Sequence, residues 1–333
     1  FGFLVVSLRT VTMVLEGLFA GWELPLLHTP AGHAYLFVKD IFELLVLVGL
    51  LGAVWRRGIE RKPRIIQSTG AWLVIGLIAI LMVTDLASEG ARIAAGAIEG
   101  SFLPVSSLVA VMFGGLGNKV LQAVYSTSWW AHLIVLYIFA NELPYSKHFH
   151  VYTSLFNVFF AKLDPPGKIA SMDLENIDES TRFGAATITD FSWKQMLDMY
   201  SCTECGRCRE FCPTTITHKP LEPVLYLKAV RDQLYSEQKA LLAGTGDQGR
   251  ASQVELVPAV VDPAVIWACT TCRWCERACP LQITYVDKLV EQRRNLVLDK
   301  ADFPEEAQPA FRGYEVNGNP WQLPAEERGD WAK

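Results

Sequence analysis

All eight cysteines of this 333-residue chain fall into two copies of one pattern, CxxCxxCxxxCP: Cys202, Cys205, Cys208, Cys212, Pro213 and Cys269, Cys272, Cys275, Cys279, Pro280. Thiolates at three-residue steps, closed by a cysteine before proline, are the ligand set of a [4Fe–4S] cubane. In two-cluster proteins the fourth cysteine of each run crosses to the other cluster. The spacing therefore predicts one cubane on Cys202, Cys205, Cys208 and Cys279 and a second on Cys269, Cys272, Cys275 and Cys212. Structural zinc sites use paired ligands at other spacings, and disulfide frameworks belong to short secreted domains. The chemistry expected of these residues is one-electron transfer.

Histidine is the second residue type with chemistry to offer. In the stretch STSWWAHLIVLYIFANELPYSKHFH, an unbroken helix would put His132 and His150 on one face, eighteen residues and ~27 Å apart. That separation fits one or two b-type haems, one per leaflet, each needing an imidazole from two different helices. His148, on the opposite side, is the alternative inner ligand, and Pro144 interrupts the helical phase between the two levels. His33 and His28 are the candidates for the second outer ligand. No histidine remains for the second inner one, so it is expected upstream of Phe1, in a longer protein. Arg9, Asp40 and Glu43 are candidates for binding haem propionates, pairing, or passing protons at a quinone site. Asp85 and Glu89 are expected to exchange protons with a quinone over the outer haem, under a roof formed by residues 101 to 127. A site near His148 on the inner side is the competitor.

These residues need elements to carry them, and composition changes near residue 150. Before it lie four apolar runs, 1 to 19, 35 to 55, 70 to 87 and 128 to 148, each near the ~20 residues that cross hydrocarbon. The loop with Arg56, Arg57, Arg61, Lys62 and Arg64 marks the cytoplasmic side. Parity then leaves the short run within 101 to 124 as an outer interfacial or re-entrant segment and returns the chain to the cytoplasm at residue 151. A multi-pass protein of the cytoplasmic membrane, with its cysteine region on the cytoplasmic side, is expected. With a net charge of −5, nothing in the composition suggests nucleic acid, and no nucleic-acid partner is expected.

The soluble half divides further. Residues 151 to 163 form an apolar aromatic stretch suited to a membrane surface, and 164 to 189 read as a linker. Asp190 is expected to cap a short helix over FSWKQMLDMY. Helical periodicity covers 220 to 243 and 281 to 298, with a loop over 244 to 262. Thr203, Thr270 and Thr271 are candidate donors to cluster sulfur, His218 is a surface residue, and 301 to 333 form a C-terminal extension.

FGFLVVSLRT, the basic loop, WWAH and PYSKHFH resemble the membrane cytochrome b domain of the nitrate reductase gamma type. YSCTECGRCREFCP, IWACTTCRWCERACP and GNPWQLPAEERGDWA resemble the iron–sulfur region of heterodisulfide reductase-related oxidoreductases. Their fusion is similar to the membrane-bound electron-transferring-flavoprotein:menaquinone oxidoreductases. The resemblance implies an all-α fold: a transmembrane cytochrome b-type bundle over residues 1 to 150, then an α-helical ferredoxin domain with two [4Fe–4S] clusters over 190 to 300. It implies electron transfer between a soluble donor, electron-transferring flavoprotein, and membrane menaquinone or another quinone, within membrane lipid and alongside further redox subunits. The alternatives are a thiol–disulfide reductase subunit fed by quinol and a non-catalytic relay subunit. Such proteins usually continue into further cysteine-rich domains with CC and CxxC motifs; residues 1 to 333 carry no CC motif, so no reaction of those domains is assigned to residues here.

Overall fold

The computed structural model describes residues 2–19, 24–165, 167–172, 174–178, 181–243 and 254–332, so the predicted loop is described only from residue 254 onward. Among the described residues every regular element is helical. The chain forms two compact units, Phe1–Phe149 and His150–Lys333.

The first unit contains α1 (Gly2–Leu18), α2 (Pro30–Val54), α3 (Thr69–Ala94), α4 (Pro104–Met112) and α5 (Asn118–Tyr145). Thr29 starts α2 by accepting from the Gly32 amide, with Pro30 in the first turn, where its missing N–H costs nothing. Against α3 pack α2, α4 and α5. The approach of α4 needs Gly90, because a Cβ there would stand 2.8 Å from Val109 Cγ1.

Of the four expected spans, α3 and α5 are long and apolar enough to cross a membrane. α1 has 17 residues, and α2, at 25, carries Lys39, Asp40 and Glu43 in its first half. The surface is inverted relative to a soluble helical bundle: Leu45, Val48 and Leu51 of α2 and Leu73 and Val83 of α3 are exposed, while Lys39, Asp40, Glu43, Asp85 and Glu89 are buried.

Two expectations about the last helix are corrected. α5 begins at Asn118, well before the apolar run, because NKVLQAVYST contains no breaker after Gly117 and helix formation does not require apolarity. The short run before it is the separate helix α4. At the other end α5 stops at Tyr145, one residue after Pro144, and Ser146 is extended. His148 lies in the following 3₁₀ turn and His150 opens the next helix, so neither continues the helical phase of His132.

The second unit holds α6 (His150–Phe159), α7 (Trp193–Ser201), α8 (Arg207–Glu210), α9 (Pro213–Ile216), α10 (Pro223–Ala243), α11 (Leu256–Ala259), α12 (Pro263–Ala268), α13 (Trp274–Arg277), α14 (Val286–Arg294) and α15 (Gln308–Asn317). α6 packs on α7, and its buried Asn157 donates to the Leu281 carbonyl while accepting from Lys194. Leu155, Phe156 and Phe159 on the same helix are exposed, which leaves it one apolar face. The helix over FSWKQMLDMY is capped by Ser192 in a capping box with Gln195. Asp190 serves the turn before it instead, accepting from the Ala186 and Thr187 amides. Gly184, at φ +70°, lets the chain press against α14, where the Ala185 amide donates to Glu291 O at 3.0 Å.

The anchor of this unit is Asp198, fully buried. Its Oδ2 meets Lys288 Nζ at 2.6 Å and accepts from the Thr284 hydroxyl at 2.7 Å, and its Oδ1 meets Lys194 Nζ at 2.7 Å. Burial alone would push the carboxyl up, but Lys288 and Lys194 hold it below the usual carboxylate range. The stability this gives is present above the unfolded carboxylate value, ~3.9, and is lost as pH falls through the lower folded value. Asp198→Asn strands the buried Lys288 charge and should cost about 3–5 kcal/mol, read as a fall in the unfolding midpoint of the second unit.

Candidate functional site

The two cysteine runs are built alike. In the first, α7 ends at Cys202, Cys208 lies in α8, and Cys212 precedes α9, whose first residue is Pro213. In the second, α12 ends at Cys269 and Cys275 lies in α13. Both runs enter the left-handed region at the same two places: two residues after the first cysteine, Glu204 (φ 54°) and Thr271 (φ 55°), and four after it, Gly206 (φ 74°) and Arg273 (φ 57°). The turn at the earlier place aims an amide at sulfur: the Glu204 amide donates to Cys202, and the Thr271 amide to Cys269 Sγ at 3.4 Å. Three non-glycine residues held there carry strain that a tight ligand loop repays.

Two cavities result. One is lined by Cys202, Cys205, Cys208 and Cys279, the other by Cys212, Cys269, Cys272 and Cys275. Tyr285, fully buried, lines both, and its hydroxyl donates to Cys208 Sγ at 3.5 Å. At the second cavity Thr214 Oγ1 lies 2.8 Å from Cys212 Sγ. Of the expected threonines, Thr203 lines the first cavity and Thr270 the second, while the Thr271 hydroxyl turns to the Thr270 carbonyl and only its amide reaches sulfur. Tyr285 escaped the sequence reading because it lies outside both runs, and Thr214, whose hydroxyl donates to the Leu221 carbonyl, because it lies beyond the proline of the first run.

The donor set fits iron–sulfur clusters. Burial pushes the Cys202 thiol up to about 11 and Cys208 up to about 12, and raises Cys269, Cys275 and Cys279 as well. Thiolates so placed need a compensating positive charge, which iron supplies. Arg231, which lines no solvent, adds another near Cys202 while pairing with Glu204 at 2.6 Å.

The first unit presents a different chemistry. Lys39 Nζ, with no exposure, lies 2.9 Å from Glu43 Oε1, 2.8 Å from Asp85 Oδ2 and 3.0 Å from Glu89 Oε2. Asp40 accepts from the Val105 amide at 2.5 Å, the Ser106 amide at 3.1 Å and the Ser106 hydroxyl at 2.6 Å, at the start of α4. Ser106 Oγ is also 3.2 Å from Glu89 Oε2. Lys39 was missed in the sequence, although its i,i+4 spacing to Glu43 within an apolar run is a readable sign.

Beside this cluster is a cavity of about 350 Å³, lined among others by Arg9, His28, His33, Glu89, Arg92 and Phe102. His33 stacks on Phe102 with centroids 3.9 Å apart. The expected pair Asp85 and Glu89 is divided: Glu89 reaches this cavity, and Asp85 is turned to Lys39. His132 is also absent from the cavity lining. It is 3 % exposed, and its Nδ1 lies 3.1 Å from Leu81 O and 3.2 Å from Thr84 Oγ1. With Nδ1 donating to the carbonyl, Nε2 is left as the lone-pair nitrogen, the tautomer a metal ligand needs. His28 and His33 line this cavity, and His132 does not. His148 Nδ1 is 3.3 Å from Ser146 Oγ, and His150 is half-buried at the start of α6.

The helical build and two four-cysteine cavities define a two-cluster iron–sulfur protein. The 4Fe-4S dicluster domain matches residues 198–283. The chain is 33% identical to the "Probable iron-sulfur-binding oxidoreductase FadF" of Bacillus subtilis, over 99% of this chain and 50% of that protein. It is 32% identical to the "EtfAB:quinone oxidoreductase" of Syntrophomonas wolfei, over 89% of this chain and 45% of the relative. To the "Probable membrane-anchored ferredoxin" of Chromohalobacter salexigens the identity is 26%, over 82% and 41%. The chain thus spans about half the length of these relatives or less. No solved structure matches.

Tyr285→Phe should lower the reduction potential of the cluster at Cys202, Cys205, Cys208 and Cys279, because a hydrogen bond to sulfur favours the reduced, more negative state. Potentiometric titration followed by paramagnetic resonance resolves this. Cys212→Ala should remove the other cluster first, and loss of the Cys202 cluster alone would show that the ligands are not crossed.

Proposed function

We propose that this chain relays electrons between a soluble flavoprotein donor and a membrane quinone, with menaquinone as the quinone and electron-transferring flavoprotein as the donor. The observation that carries the reading is the pair of four-cysteine cavities sharing Tyr285 as a wall, a geometry suited to two cubanes in sequence. Each cubane, when bound, supplies one-electron storage and transfer. The protein's part is to bury the sulfurs, to donate to them from Tyr285, Glu204 and Thr271, and to hold the two sites against one another through Asp198, Lys288 and α14.

The quinone end of the reading rests on the first unit. Its apolar exterior and charged interior suit hydrocarbon surroundings, with α1, α2, α3 and α5 as four spans and the basic loop on the cytoplasmic side. The cavity between Arg9, His28, His33, Glu89 and Phe102 has the size and mixed character of a small-molecule site: an aromatic face for a ring and cations or imidazoles for carbonyl oxygens. His132 is the residue of this unit that would ligate a b-type haem. The name of the Syntrophomonas relative, with its flavoprotein and quinone, agrees with both ends.

The test is the protein in lipid vesicles, with its clusters reduced by electron-transferring flavoprotein and reoxidised by a menaquinone analogue. His33→Trp fills the cavity and should slow reoxidation about tenfold or more while leaving reduction by the flavoprotein unchanged. Reoxidation at the wild-type rate would exclude this cavity, and clusters that no quinone reoxidises would exclude the function. Loss of the haem spectrum in His132→Ala is the corresponding check on that ligand.

A further inference from the structure

The two cysteine runs are built alike, so the places where they differ are where the two sites can serve different ends. Each cluster has one exposed cysteine, Cys205 in the first and Cys272 in the second. Around Cys272 the second run departs from the first: Trp274 stands where the first run has Arg207, and Arg277 where it has Glu210. Trp274 is 47% exposed and meets Phe211, 46% exposed and just before Cys212, with ring centroids 5.8 Å apart. Adjoining exposed rings beside a redox centre form a surface for another planar group.

At this place the second unit has a further cavity of about 350 Å³, bordered by Cys272, Trp274, Arg277 and Gln282. That volume falls in the range of small-molecule sites. Cys272 lines both this cavity and that of its own cluster, so a ligand here would lie against a cluster sulfur. Most charges on the wall are already paired: Lys162 with Asp287 at 2.9 Å, Arg273 with Glu276 at 2.8 Å and with Asp287 at 2.7 Å, and Asp164 with Lys168 at 2.8 Å. Arg277 is exposed and, among the described residues, in no ion pair. Gln282, also exposed, is held in the left-handed region at φ 55°, whereas the matching Thr215 of the first run lies inside α9. Strain at a non-glycine residue persists where a site uses it. The wall therefore offers a ring face, a free cation and a side-chain amide beside one cluster ligand.

We propose that this cavity is the electron port of the second cluster and takes the ring of a reduced flavin, stacked on Trp274, with Arg277 at its anionic edge and Gln282 at its carbonyls. The proposal rests on the flavoprotein reading given above and adds where the donor delivers. Flavin suits the wall because its ring is flat and aromatic and its reduced form carries negative charge along the N1–C2 edge, where a guanidinium stabilises it. The hydroquinone anion gives one electron to the cubane held by Cys272, reducing one ferric ion to ferrous, and is left as a neutral radical that keeps its N5 proton. That electron then moves past Tyr285, the wall common to both clusters, to the cubane held by Cys202. The radical gives the second electron to the emptied cubane and releases the N5 proton to solvent, leaving oxidised flavin.

The experiment uses the whole chain in lipid vesicles with its clusters assembled, mixed anaerobically with photoreduced riboflavin, and follows cluster reduction by stopped-flow absorbance. Riboflavin has no phosphate, so its negative charge lies on the ring alone. Arg277→Glu should slow reduction about tenfold and abolish the fall in rate that added salt causes in the wild type. Trp274→Ala should raise the flavin concentration at half-maximal rate about tenfold, while the paramagnetic resonance of both dithionite-reduced clusters stays as in the wild type. Arg207→Glu, beside the exposed Cys205 of the other cluster, should leave the flavin rate within about twofold. Wild-type flavin kinetics in both Arg277→Glu and Trp274→Ala, or slowing by Arg207→Glu in their place, would overturn the port and leave the relay reading standing. Electron-transferring flavoprotein as donor separates the two: if it leaves the wild-type clusters oxidised while free reduced flavin still depends on Trp274 and Arg277, the flavoprotein reading falls and the port stands.

Discussion

Everything in the second unit depends on the exchange of one cysteine between two otherwise similar loops. Neither run can close a cavity by itself, because its fourth cysteine stands in the wall of the other. That requirement brings segments more than fifty residues apart in sequence to one place and explains what surrounds them. Tyr285, the residue before α14, lines both sites, and Asp198, from the helix that leads into the first run, is tied to Lys288 on α14. A buried carboxylate with two ammonium partners and a hydroxyl is worth its desolvation only where it fixes such a register. The left-handed residues at matching places in each run belong to the same constraint, since a tight loop is what turns an amide toward sulfur.

In the first unit the organising quantity is charge inside an apolar shell. Lys39 draws three carboxylates from two helices to within ion-pair distance, and Asp40, one residue along, fastens α2 to the start of α4. The same contacts that hold α2, α3 and α4 together place Glu89 at the edge of a cavity.

The sequence alone determined the things that depend on short-range spacing. The cysteine grouping follows from steps of three residues and a proline, and the same fours line the two cavities. Helical character, the apolar runs and the basic loop are likewise local properties, legible as composition and period. Even the misplaced cap is a near miss of this kind: Ser192 and Asp190 are both good cap residues, and Gln195 at the third helical position, completing the box, decides for serine. Proline at 144 marked where a helix would fail, and α5 does stop one residue later.

What only the tertiary structure decided is which distant side chains share a place. Tyr285 bridges two cavities, Asp85 turns to a lysine rather than to a cavity, and His28 and His33 gather with Arg9 and Glu89 while His132 faces Leu81 and Thr84. None of these has a periodic signature, because each depends on the rotation and offset of one helix against another. A small change in either moves a side chain from one partner to the next without altering a single local preference.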